Sequence, residues 1–213
     1  MNDQLNFWKA LLITPKQFFI NEFSDKTKVR FFNTAIVIFC LGYGIDQANR
    51  QLTRFDIKGK LDQIAFVNDW IGFWISAVIA GAIGGYIVYL IGGWFYDVRL
   101  KWAKGSGNLD LSRRLYLYSN FYLNLTIIFI CIVETIKNRK PYDPFEDFQL
   151  FDAVSILFLL FFIFHSIYLS FTGVTTLTDV DKKLATVWFA ILPTLLYIFL
   201  FGALIILFAS YFS

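Results

Sequence analysis

Five uncharged stretches divide the chain, and the second sets the plan. It runs for 27 residues from Trp70 to Tyr96, between Asp69 and Asp97. About 20 apolar residues at ~1.5 Å each cross a hydrocarbon core, so the run predicts a spanning helix with some tilt. Ala77, Gly81 and Gly85 recur four apart, and Gly92 follows one heptad after Gly85. Small residues on one helix face let a second backbone approach, and dispersion with weak Cα–H···O contacts then replaces lipid contacts. Residues 77, 81, 85 and 92 are therefore the expected packing face of a central helix.

The other stretches predict helices over about 31–46, 115–136, 153–172 and 182–212. The first holds only 15 uncharged residues between Arg30 and Asp46. At ~1.5 Å each they fall short of a hydrocarbon core of ~30 Å, so local thinning or snorkelling of Lys28 and Arg30 is expected. Residues 47–69 read as a polar, helical hairpin loop with Leu61, Ile64 and Val67 as a weak apolar stripe. Gly173 is the expected end of the fourth helix, and Pro193 the expected kink of the fifth. Ahead of these spans lies an arm, residues 1–30. Leu5, Trp8, Leu11 and Leu12 fall at helical spacing. Thr14 and Pro15 open a second short helix that carries Phe18, Phe19 and Phe23. The expectation is two amphipathic helices lying in the membrane interface, with Trp8, Pro15, Phe18 and Phe19 on the buried side. Packing of the same pair against the end of the bundle is the competing expectation.

The fold expected is thus an all-α integral membrane protein. A five-transmembrane-helix bundle (31–213) follows an interfacial arm (1–30). Composition agrees, with 57% hydrophobic and 16% charged residues among 213. The start of the chain lacks the basic, apolar and small-residue pattern of a signal peptide, so it is expected to be retained. Basic residues set the orientation. With the N-terminus inside, the inner segments carry 12 Lys and Arg and the outer ones 7. This predicts a cytoplasmic N-terminus and an external C-terminus, in a bacterial inner membrane. Cys40 and Cys131 both lie in apolar runs and read as small hydrophobes.

Candidate chemistry is sparse. One histidine rules out H-E-x-x-H, and Gly105-Ser106-Gly107 is too short for a phosphate loop. No metal or cofactor is expected, and no enzyme activity. Asp179 and Asp181 read as helix caps rather than magnesium ligands. Asn120, Asn124 and His165 are the polar residues inside spans. They read first as interhelical hydrogen-bond partners and second as a polar path through the third and fourth helices. The first reading goes with a membrane scaffold, adaptor or bilayer organiser, and the second with a small transporter or permease subunit. The partners expected are membrane lipids, other membrane proteins and further copies of this chain, and no nucleic acid.

Three segments carry a family resemblance. Trp8 to Phe19 resembles the opening proline-aromatic segment of the Yip family of Rab-interacting membrane proteins. Gly92-Gly93-Trp94, Gly105-Ser106-Gly107 and Arg113-Arg114-Leu115-Tyr116 resemble its glycine-punctuated loop after the second helix. Tyr168-Leu169-Ser170 through Leu177 to Lys182-Lys183-Leu184-Ala185 is similar to the junction before its last helix. The resemblance is to the short prokaryotic form, and it implies a fold and a membrane without a settled activity. The long polar domain of eukaryotic members has no counterpart here, so the resemblance does not carry GTPase binding or vesicle traffic to this chain. Where family members often place a proline early in the third helix, this chain reads Ser119-Asn120-Phe121-Tyr122.

Overall fold

The computed structural model describes residues 2–23, 29–145 and 147–211, with side chains placed for 6–23, 29–145 and 147–203. The described residues are helical and contain no strand. Four helices are long and apolar enough to cross a membrane, and the chain is an integral membrane protein of the all-α class. Helix α1 spans Asn2–Ile13 and α2 spans Pro15–Glu22. Helix α3 is Phe32–Ile57, and the central helix α4 runs Trp70–Trp102. Then come α5, Leu109–Ser119, α6, Phe121–Lys137, and α7, Leu150–Leu177. The last helix, α8, begins as Lys182–Thr186 and continues as Leu192–Tyr211 beyond a π-turn.

Several boundaries differ from the sequence pattern, each for a local reason. Helix α3 does not stop near residue 46. Asp46 pairs with Arg50 one turn on at 2.8 Å, and Thr53 donates to the Asn49 carbonyl at 3.1 Å, so the charged stretch continues as helix. Gly59, at φ 63°, ends it. The 26 residues of α3 measure ~39 Å, but its added turns are charged, and α3 is not among the four helices apolar enough to cross a membrane. The hairpin loop therefore shrinks to the residues after Ile57, with a short 3₁₀ turn at Leu61–Ile64. Asp69 then caps α4 by accepting from the backbone of Ile71 and Gly72.

The central helix runs past Asp97 to Trp102, because the Asp97 carboxylate is buried with partners in hand. Lys101 Nζ lies 2.8 Å from it and Ser112 Oγ donates to it at 3.2 Å. Gly173 does not end α7. It lies in mid-helix, where a Cβ would stand 2.7 Å from Leu115 and 3.1 Å from the Phe19 ring, so its small size admits two neighbours. The third span starts earlier than expected, at Leu109, and breaks at Asn120 without a proline. Pro193 acts just upstream of itself. Its ring and missing N–H conflict with the carbonyl four residues back, and the backbone widens into a π-turn over Val187–Ile191. Residues 212 and 213 lie outside the described residues.

The arm is the largest departure. Phe7, Leu11, Phe18, Phe19 and Phe23 are buried by the protein itself, in one core with Tyr118, Phe121 and Leu169. Trp8 stacks on Phe121 with the rings 3.9 Å apart and nearly parallel. Pro15 is buried as well. The Tyr122 hydroxyl donates to the Trp8 carbonyl, and the Tyr118 hydroxyl donates to the Arg30 carbonyl at 2.6 Å. Trp8, Pro15, Phe18 and Phe19 thus face the bundle rather than an interface. Fixed aromatic partners explain the preference, since stacked and edge-to-face pairs add to burial.

The two ends of the bundle are held separately. At one end, Asp181 N–H donates to the Ala103 carbonyl at 2.9 Å, and the arm packs nearby. At the other, Tyr142 donates through its hydroxyl to Asp56 and through its backbone to Asn68, both at 3.0 Å. Trp70 Nε1 donates to the Asn138 carbonyl at the same end.

Candidate functional site

The site lies where two irregularities face each other, the break at Asn120 and the π-turn before Pro193. At the break, Asn120 Nδ2 donates to the Tyr116 carbonyl, and Asn124 Nδ2 donates to the Asn120 carbonyl, each at 2.8 Å. Side-chain amides thereby stitch α5 to α6 across the bend. Asn124 is buried and presses on Gly42 of α3, where a Cβ would stand 2.5 Å from the Asn124 oxygen.

Two cavities meet at this bend. The larger, about 560 Å³, lies among α3, α6, α7 and α8. Its walls are apolar where Leu123, Ile127, Leu159, Leu160 and Ile163 line it. Asn120 and Asn124 line its depth, and Asp46, Asn49, Arg50 and Glu134 line the side nearer the Tyr142 end. The smaller cavity, about 140 Å³, has Arg99, Tyr116, Asn120, Ser166, Ser170, Phe189 and Tyr197 in its wall. Tyr116, Asn120 and Tyr197 belong to both.

Of the three polar residues singled out in the sequence, the structure brings two together. His165 lines neither cavity. Its Nε2 meets the Leu12 carbonyl at 3.3 Å, and its ring lies among Phe161, Phe162, Tyr122 and Tyr168. It ties α7 to the arm. Neither of these two cavities joins His165 to Asn120 and Asn124.

The small residues of α4 meet two partners. Ala77 is fully buried beneath Gly44 of α3, whose own Cβ would overlap the Ala77 carbonyl oxygen and stand 2.8 Å from the Gly81 nitrogen. A Cβ on Gly85 would stand 2.8 Å from Cys40 Cα. Gly92 lies instead against the Tyr116 ring of α5. Residues 77, 81 and 85 thus adjoin α3, and residue 92 adjoins the helix that lines the cavities.

Arg99 escapes a reading by charge alone, which assigns it to a basic loop. The signal was its register: Gly92, Tyr96 and Arg99 fall on one face, and the Asp97–Lys101 spacing of four carries the helix onward. Among the described residues no cluster of three His, Cys, Asp or Glu is placed to hold a metal ion.

A profile of the Yip1 domain matches residues 10–204, nearly the whole chain. The chain belongs to the Yip1 family. The match takes in the end of α1, both cavities and the helix break, so the site lies inside the Yip1 domain. No curated protein sequence and no solved structure matches the chain.

Proposed function

We propose that this Yip1-family protein is a non-enzymatic membrane adaptor, which holds other membrane proteins against its last two long helices. The supporting observation is how little those helices bury within the chain. Only 11% of the apolar window of α7, and the same share of α8, is buried, against 44% for Leu109–Lys137. Leu157, Phe161 and Phe199 are 65%, 59% and 72% exposed. Lipid tails cover such a surface at no cost, and a partner helix covers it with better packing. The transport reading is the weaker one, since His165 faces the arm rather than the cavities.

Photocrosslinking amino acids at Phe161 and Leu196 test the proposal in native membranes. Discrete protein adducts are expected at both positions and none at buried Phe189. Lipid adducts alone would remove the adaptor and leave the bilayer-organising role.

The orientation proposed puts the arm and the Ala103–Asp181 end in the cytoplasm, because the more basic segments gather there. An impermeant thiol reagent on intact cells should label Lys58→Cys and spare Ser106→Cys. Labelling at 106 alone would invert the protein.

A further inference from the structure

Arg99 is a guanidinium held inside a spanning helix, one turn before that helix ends at Trp102. Among the described residues no carboxylate pairs with it. Its Nη1 reaches the Trp188 carbonyl at a long 3.5 Å, and its buried Nε has no hydrogen-bond partner. The rings of Phe95, Tyr96 and Phe189 hold it from 4.7 to 5.4 Å, which orients the group without neutralising its charge. A half-buried cation without an anion is costly, and guanidinium offers five N–H donors in a fork suited to two oxygens.

The surroundings supply the rest of an anion's needs. Four hydroxyl side chains, of Tyr116, Tyr197, Ser166 and Ser170, line the 140 Å³ cavity with Arg99 and Asn120, and no carboxylate does. At ~30 Å³ per water the space suits several waters or one tetrahedral oxyanion. The same Tyr116, Asn120 and Tyr197 also line the adjoining larger cavity, whose aliphatic lining continues along α6 and α7. A cationic, hydroxyl-lined chamber beside one whose α6 and α7 wall is aliphatic, with its charged residues kept to the Asp46 and Glu134 side, suits an amphiphile. We propose that the two cavities together bind one anionic amphiphile, with a phosphate-class oxyanion on Arg99 and an acyl chain along Leu123, Ile127 and Leu160. This stands independently of the adaptor role.

The oxyanion can come from a phospholipid headgroup or from free phosphate, and the apolar chamber favours the lipid. Native mass spectrometry of the full chain in mild detergent separates them, with titration by phosphatidylglycerol, by phosphatidylcholine and by inorganic phosphate. One phosphatidylglycerol per chain is expected. Arg99→Gln should weaken it at least tenfold and Tyr197→Phe severalfold. Leu160→Trp, which fills the apolar chamber, should abolish lipid binding and spare inorganic phosphate. Should Arg99→Gln fail to fold, Arg99→Lys serves, since it keeps the charge and loses the fork. An intermediate loss is then expected. Equal lipid binding by the parent chain, the Arg99 variant and Leu160→Trp would overturn the proposal. Inorganic phosphate matching the lipid, with Leu160→Trp without effect, would overturn the amphiphile and leave a free-oxyanion site.

Discussion

Leucine in place of Gly44 is expected to unseat α3 from the central helix and leave little folded protein in detergent. Even one added carbon at Gly44 overlaps the Ala77 carbonyl oxygen, and the obstacle is backbone, which has no rotamer to move to. Leucine brings three more carbons into the same space. Overpacking of a close-packed interior costs ~1–3 kcal/mol when side chains can yield, and more when they cannot. Gly81→Leu should behave similarly, because its Cβ would stand 3.0 Å from the Cys40 carbonyl carbon. Ile79→Leu is the control, at a residue 56% exposed on the same helix. Thermal unfolding followed by size-exclusion in detergent reads all three. If Gly44→Leu and Ile79→Leu unfold together, the close backbone contact holds nothing.

The second large effect is expected in the arm. Phe19 is fully buried, with Phe18 and Phe23 against its ring and Gly173 beneath it. Phe19→Ala should cost ~3–5 kcal/mol, as large-to-small changes in a packed core do, against total stabilities of ~5–15 kcal/mol. Trp8→Ala removes the stack on Phe121 and should cost less, because Trp8 is only partly buried. Limited proteolysis after Lys16 measures the release of the arm in each variant. An arm lying in the lipid interface would leave the bundle's unfolding temperature unchanged by either substitution, and that result would return Phe18 and Phe19 to the membrane.

The membrane class, the central helix and its small-residue register were legible because they depend on runs and spacings. The uncharged run ends at Tyr96 and the helix at Trp102, since a charge count cannot see that Asp97 has Ser112 waiting for it. The same blindness stopped the first span at Asp46, where Arg50 one turn later keeps the helix going. Helix ends depend on partners distant in sequence, and charge patterns show only neighbours. Gly173 illustrates the opposite ambiguity. A glycine near a helix end reads as a terminator, while here it is the space that Phe19 and Leu115 need. The candidate site was half legible. Asn120 and Asn124 stood out as amides in an apolar run, but their cavity needs Arg99 and Tyr197 from helices far along the chain. His165 reads first as an interhelical hydrogen-bond partner, and the partner it meets is a backbone carbonyl of the arm, which spacing along its own helix could not name.

That carbonyl belongs to Leu12, and 153 residues separate it from His165. At a synthesis rate of ~5–20 residues per second, the arm leaves the ribosome ~8–30 s before the helix that completes its core. Until Leu115, Tyr118 and Phe121 follow, Phe7, Phe18 and Phe19 lack most of the core that covers them. An amphipathic pair of helices beside a bilayer has one place to wait, the headgroup boundary. An interfacial state of the arm is therefore expected of the nascent chain, ahead of the buried state of the finished protein. Ribosomes stalled before residue 160 should carry an arm open to protease and to lipid-borne quenchers of Trp8, and ribosomes released at the end of the chain should not.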